Sequence, residues 1–297
     1  MRRCLAAVAI GCVLTLVACS SSASTDRALA GNRNPVVSPP RLEVQPVVGD
    51  CYTVLVPDVS ASERVPCSEH HLVEVAHIGT FVGNAAALAG PPIANTPAMR
   101  DAYTECARPT AAYLGGDWHE ALMELELIVP DGDDWHSGAR WFRCQLFGMP
   151  SLDYTQLAGA DESFRGVLAK PSALSVRCIT WLGGPEFGKS FEPVPCASPH
   201  RGEYAGSYTA PPGPWPATVE RERALAAHGC EAIVARFVGF PSWRQFDNPA
   251  IGYYQLGFQQ PQWDMGDRSV RCYASAYTKD GRFVGSVKGI KSRPPKG

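Results

Sequence analysis

The chain has no surplus of positive charge: 27 Lys and Arg stand against 29 Asp and Glu in 297 residues, a net charge of −2. Phosphate backbones are gripped by clustered cations, so this balance excludes nucleic acid as a partner. Beyond Val17 the chain also lacks any apolar run long enough to cross a bilayer. No serine sits in a nucleophile-elbow setting. Asp131-Gly132-Asp133-Asp134 lacks the ligand spacing of a calcium-binding EF-hand and reads as a polar turn. One motif match is false: Gly183-Gly184-Pro185-Glu186-Phe187-Gly188-Lys189-Ser190 fits the P-loop pattern, but Pro193 and Pro195 forbid the helix that a phosphate cradle needs. No nucleotide, metal or other cofactor is therefore expected.

What the chain does contain is an internal repeat. Trp135-x-x-Gly138-x-Arg140-x-x-Arg143-Cys144 recurs at identical spacing as Trp263-x-x-Gly266-x-Arg268-x-x-Arg271-Cys272. A repeat of this kind decides the architecture before any single element does. With 45% hydrophobic and 19% charged residues, each half can bury a core.

The N-terminus points to export. Arg2 and Arg3 precede the apolar run Leu5 to Val17, which is too short for a comfortable membrane span. Leu16-Val17-Ala18-Cys19 followed by three serines reads as a lipoprotein signal over residues 1–18, with Cys19 as the lipidated first residue. Its removal leaves 25 Lys and Arg against 29 Asp and Glu, a charge of −4. The protein is then expected at the extracytoplasmic face of the cell membrane, anchored through Cys19 rather than spanning it. Residues 19–46, rich in Ser, Ala and Pro, read as a disordered tether, averaging roughly 30 Å and reaching about 90 Å when stretched.

Of eleven cysteines, Cys4 and Cys12 leave with the signal and Cys19 carries lipid. The remaining eight divide evenly: Cys51, Cys67, Cys106 and Cys144, then Cys178, Cys196, Cys230 and Cys272. An even count outside the cytoplasm reads as disulfides, although four cysteines allow three connectivities. Fold-back of two strands around residue 59 favours Cys51–Cys67, and likewise Cys178–Cys196. That leaves Cys106–Cys144 and Cys230–Cys272, each joining a helix to the closing strand.

Strand-like runs open the first half at residues 47–56 and 64–79. Residues 83–95 read as loop. Pro97 starts a helix whose Met99, Ala102, Tyr103 and Cys106 share one face, and Pro109 is expected to interrupt it. The second half repeats the order, with Cys230 inside a helical stretch from Ala217 to Val238 and Trp243 in the place of Trp118.

Two constellations recur in both halves. His71 with Glu74, and His200 with Glu203, have the residue types for acid–base chemistry. An offset of three on an alternating strand places the two side chains on opposite faces unless a bulge intervenes, so a structural histidine is the leading reading. Trp135 with Arg140, and Trp263 with Arg268, combine a ring and a cation, which serves either for mutual support or as a candidate binding face.

The segments Gly49-Asp50-Cys51-Tyr52, Val65-Pro66-Cys67-Ser68-x-x-His71-x-x-Glu74-Val75 and Arg143-Cys144 resemble the septum formation-related domain of actinobacterial envelope proteins. Val194-Pro195-Cys196-x-Ser198-Pro199-His200-x-x-Glu203 fits the same pattern, whereas Arg177-Cys178 replaces the Gly-Asp-Cys opening. The resemblance implies an exported or membrane-tethered protein linked to the division septum, and it supplies no catalytic residues. The expected architecture is α+β: two tandem domains, residues 47–147 and 174–286, each a small antiparallel sheet with one or two helices and two disulfides. Residues 148–173 are expected to connect them, and residues 287–297 to form a basic flexible tail. The function expected is non-enzymatic binding or scaffolding in the envelope, with proteins of division or wall synthesis, or peptidoglycan, as partners. The alternatives are a wall-active hydrolase or transferase using His71 and Glu74, and a general structural or sensory lipoprotein.

Overall fold

The computed structural model of the chain describes residues 46–54, 63–152, 157–181, 191–277 and 281–296. The signal, Cys19, nearly all of the tether, the turn around residue 59 and the false P-loop at 183–190 lie outside the described residues. Both halves fall within one compact unit, Glu43–Gly297.

In the first half, β1 (Cys51–Tyr52), β2 (Arg64–Val65) and β3 (Val73–Thr80) lead through a short α1 (Gly83–Ala86) to the long α2 (Pro97–Leu114). After a 3-10 turn at Trp118–Glu120 come β4 (Met123–Ile128), α3 (Gly132–His136) and β5 (Trp141–Gly148). The second half repeats this with β6 (Cys178–Trp181), β7 (Phe191–Pro193), β8 (Gly202–Thr209) and α4 (Val219–Val238). A 3-10 turn at Trp243–Gln245, β9 (Ile251–Leu256), α5 (Gln260–Met265) and β10 (Ser269–Ala276) complete it. The sheet orders are β2-β1-β3-β5-β4 and β7-β6-β8-β10-β9, antiparallel throughout and identical in topology. The α+β class and the two sheet–helix units read from the sequence are both present.

Even the irregularities recur. In the β3–β5 pairing the register slips at Ala76, and in β8–β10 it slips at Ala205, two residues after Glu74 and Glu203 respectively. Each long helix begins on a threonine whose hydroxyl accepts from the backbone N–H three residues on, Thr96 from Met99 and Thr218 from Arg221. Each ends on a left-handed glycine, Gly115 and Gly239.

Pro109 does not interrupt α2. It removes one ladder hydrogen bond, but Thr110, Tyr113 and Leu114 beyond it are buried, and that packing carries the helix onward. In α4, Gly229 lies under the Tyr208 ring, where a Cβ would come within 2.0 Å of it, so only glycine fits. Residues 83–95, read as loop, contain the short α1.

All four cysteine pairs are disulfides: Cys51–Cys67, Cys106–Cys144, Cys178–Cys196 and Cys230–Cys272. The helix-to-strand bridges are sealed in the cores, with Cys106, Cys144, Cys230 and Cys272 at 0% exposure. In the hairpin bridges Cys67 and Cys196 are half-buried.

The segment after each closing strand is not a plain connection or a loose tail. His71 exchanges two backbone hydrogen bonds with Ala160, and His200 exchanges two with Phe283. Gly166 and Leu168 then donate to the α2 carbonyls of Tyr113 and Leu114, while Gly289 and Lys291 donate to Phe237 and Val238 of α4. Each half is thus closed by a strap that returns across the helix C-terminus. Val287, placed by the sequence in a flexible tail, is 1% exposed. The basic composition hid this, because the strap holds on through backbone groups and two buried apolar side chains, Phe283 and Val287.

Candidate functional site

The repeated Trp/Arg motif is not a binding face. Trp135 and Trp263 are 1% and 3% exposed. Each indole N–H donates to the crossover joining the third strand to the long helix, Trp135 to the Leu88 carbonyl at 2.9 Å and Trp263 to Gly213 at 3.3 Å. Arg140 lies 4.0 Å over the Trp135 ring and donates through Nε to the Ala86 carbonyl at 2.7 Å, and Arg268 donates to Ala210 at 3.3 Å. Gly138 and Gly266 have φ of 103° and 128°, the turn conformation that lets the chain enter the closing strand. The motif pins a long crossover over the helix edge, which engages both indole N–H groups and the Nε of both arginines.

His71 and Glu74 do come together, because His71 precedes β3 and the alternation of that strand does not apply to it. Both are 0% exposed, with His71 Nε2 3.6 Å from Glu74 Oε2. His71 Nδ1 faces the Glu69 carbonyl at 2.8 Å and must donate to it, since a carbonyl only accepts. His200 does the same with Ser198 at 2.8 Å. The carboxylates are strap anchors. Glu74 accepts from Ser163 Oγ at 2.6 Å, the Phe164 N–H at 2.7 Å and the Tyr113 hydroxyl. Glu203 accepts from Ser286 Oγ at 2.5 Å and the Val287 N–H at 2.6 Å. Burial and the bond to Glu74 push the Tyr113 hydroxyl up to about 12. Sequence reasoning missed the strap end of this arrangement; its one signal is Ser163-Phe164-Arg165-Gly166 recurring as Ser286-Val287-Lys288-Gly289.

Each carboxylate also lies near a hairpin disulfide, so that Cys51, Cys67 and Glu74, and equally Cys178, Cys196 and Glu203, have the spacing of metal ligands. The sulfurs are bonded to each other, and a disulfide offers no thiolate to a metal. Asp131 caps α3, its Oδ1 accepting from the Asp134 N–H at 2.8 Å. The false P-loop runs into β7, a strand where a phosphate site would need a helix.

Among the described residues a dense charged cluster lies where the halves meet; Arg271 comes from the repeated motif, but the partners it finds there do not follow from the repeat. His119, 6% exposed, is held between Asp117 of its own turn (Nδ1 to Oδ1, 2.7 Å) and Asp267 of the other half (Nε2 to Oδ2, 3.1 Å). Tyr103 of α2 donates to Asp267 at 2.9 Å, and Ser207 of β8 donates to Asp117 at 3.0 Å. Arg271 of β10 donates to the carbonyls of His119 at 2.7 Å and Met123 at 3.2 Å, and to Glu124 at 3.2 Å. Beside this network Leu122, Met149 and Leu152 pack on Val176, Ile179 and Tyr273. Both imidazole nitrogens are occupied, so the cluster locks the halves together and has no free base to offer.

Burial opposes charge on His119, but Asp267 and Asp117 outweigh it and lift its pKa from 6.5 to about 10. Burial would raise Asp117 and Asp267, yet their bonds to His119 hold both below the usual carboxylate range. The histidine contribution is complete below its unfolded pKa of 6.5 and is lost as pH rises towards about 10. The aspartate contribution is complete above 3.8 and lost on acidification. Denaturation free energies are therefore expected to decline between pH 6.5 and 10 by up to about 1.4 kcal/mol per pH unit, and His119→Gln should flatten that slope. An unchanged slope in the variant would remove His119 as its source.

Fold and site define a disulfide-stapled α+β protein of two similar sheet–helix halves, in which the repeated Glu74 and Glu203 carboxylates hold its own closing straps. Residues 48–272 match the family described as septum formation, in one match that runs through both units, and the chain belongs to that family. No curated protein and no solved structure gives a match. Among the described residues, no helix is long and apolar enough to cross a membrane.

Proposed function

We propose that the chain is an exported lipoprotein, anchored through Cys19, that acts without catalysis as a binding or scaffold component of septum formation. Its two units are read as tandem copies of one domain. The observation that carries the non-enzymatic reading is the fate of the repeated chemical groups. His71, Glu74, His200 and Glu203 are at 7% exposure or less, and each carboxylate accepts two hydrogen bonds from its strap. A hydrolase or transferase working through His71 and Glu74 would need a substrate to reach a pair with no accessible surface. The family match supports the link to septum formation. The four disulfides support an oxidising compartment outside the cytoplasm. Partners are proteins of division or wall synthesis, or peptidoglycan.

The experiment is a fluorescent fusion with Cys19 intact, imaged in dividing cells of the host bacterium. We expect enrichment at mid-cell that disappears when residues 47–296 are deleted and the anchor is kept. An even membrane signal through the whole cycle would count against the septal role.

A further inference from the structure

We infer that the closing strap of the second half, residues 281–296, is a docking surface for an anionic phospholipid bilayer. This rests on the membrane-anchored reading above and adds the face that the folded part turns towards the membrane. The strap carries Arg282, Lys288, Lys291, Arg293 and Lys296, all exposed, and no acidic residue. Among the described residues none of these five makes an ion pair; Lys288 lies 6.0 Å over the Phe237 ring, and Arg293 donates to its own strap at Ile290.

The equivalent strap of the first half shows that this charge is not needed for closure. It makes the same two helix contacts and the same carboxylate anchor with Asp161 and Glu162 balancing Arg165 and Lys170. Leu168, 5% exposed, fills the place that Lys291 takes in the second strap. Lys291 is exposed there and adopts φ 54°, a left-handed backbone that glycine would take without penalty. The backbone beneath two of the cations is tied to the second half: Asn248 Nδ2 donates to the Lys291 and Arg293 carbonyls at 2.6 and 3.1 Å. Lys291 and Arg293 help to line an open hollow of about 740 Å³ with Gly289, Ile290, Ser292 and Pro294.

Charge complementarity selects the occupant. Without the signal and residues 281–297 the chain has 20 Lys and Arg against 29 Asp and Glu, a charge of −9. An anionic leaflet repels a body of that net charge and attracts a strap that carries five cations and no acid, so a chain tethered at Cys19 turns the strap towards the headgroups. Such attraction decays within a Debye length and is removed by salt.

The test uses the protein purified from membranes of the host bacterium, placed in vesicles of phosphatidylcholine alone or mixed with phosphatidylglycerol. Lysine acetylation is read by mass spectrometry, with Lys170 as the internal reference. Lys288, Lys291 and Lys296 are expected to label about five-fold more slowly on the anionic vesicles, and at the free rate in high salt. Equal labelling on both vesicle types overturns the inference. Protection by soluble polyphosphate but not by anionic vesicles overturns the bilayer as occupant and assigns the strap to a soluble polyanion. Flotation with neutral vesicles reports the anchor separately. If the chain does not float with them, the anchored reading has failed. Flotation with anionic vesicles, lost in the combined variant Lys288→Ser, Lys291→Gly, Arg293→Ser, Lys296→Ser, then still supports the strap, and no flotation overturns it.

Discussion

Arg271→Ala is expected to lower the unfolding free energy by about 3–5 kcal/mol, the cost of breaking a buried ion pair from one side. The residue is 3% exposed and reaches across the junction of the halves to two carbonyls and a carboxylate. Truncation strands all three acceptors. Burial already raises the Glu124 pKa against the pull of Arg271, so without the guanidinium Glu124 takes up a proton more readily. The penalty should therefore shrink in mild acid. Replacing both partners, Arg271→Met with Glu124→Leu, removes both charges and should recover most of the loss. Denaturant titration with unchanged slope measures each difference. A loss below about 1 kcal/mol for Arg271→Ala would remove Arg271 as a main tie between the halves.

Glu74→Ala should be nearly as costly, about 2–4 kcal/mol, because it leaves the Ser163 hydroxyl, the Phe164 N–H and the Tyr113 hydroxyl without their acceptor. Its effect is local as well. Gly166 and Leu168 donate to the last turn of α2, and their amides should exchange faster than those of β3 and β5, where the sheet and the Cys106–Cys144 bridge are intact. Glu203→Ala predicts the same for Gly289 and Lys291. Uniform acceleration across the sheet would show that the strap and the core unfold together. The disulfides make the local outcome the expected one, since a chain cross-linked from helix to closing strand resists global unfolding.

Much of this was legible in the sequence because it is local or repeated. Cysteine spacing and the fold-back of short strands led to four pairs that the structure contains. The face formed by Met99, Ala102, Tyr103 and Cys106 is buried as its periodicity implied. Where local rules were pressed too far they misled. Pro109 breaks a helix that stands alone, and here burial on both sides of it decided otherwise. Trp135 and Arg140 have the composition of a recognition patch, but composition does not say whether an indole N–H faces solvent or a crossover carbonyl.

The two similar halves, the disulfide frame and the mixed helix–sheet class are readable along the chain, because each is written in spacings of a few residues or in one motif used twice. How the halves join, what the buried carboxylates hold and where the basic end lies depend on the folded chain. His119 meets Asp267 across 148 positions, and Arg271 meets the His119 carbonyl across 152. Arg271 belongs to the repeated motif, but neither the motif nor any periodicity says which distant groups it and His119 will meet. They are chosen by which surfaces remain to be covered once each sheet has closed on its helix, and that choice exists only in three dimensions.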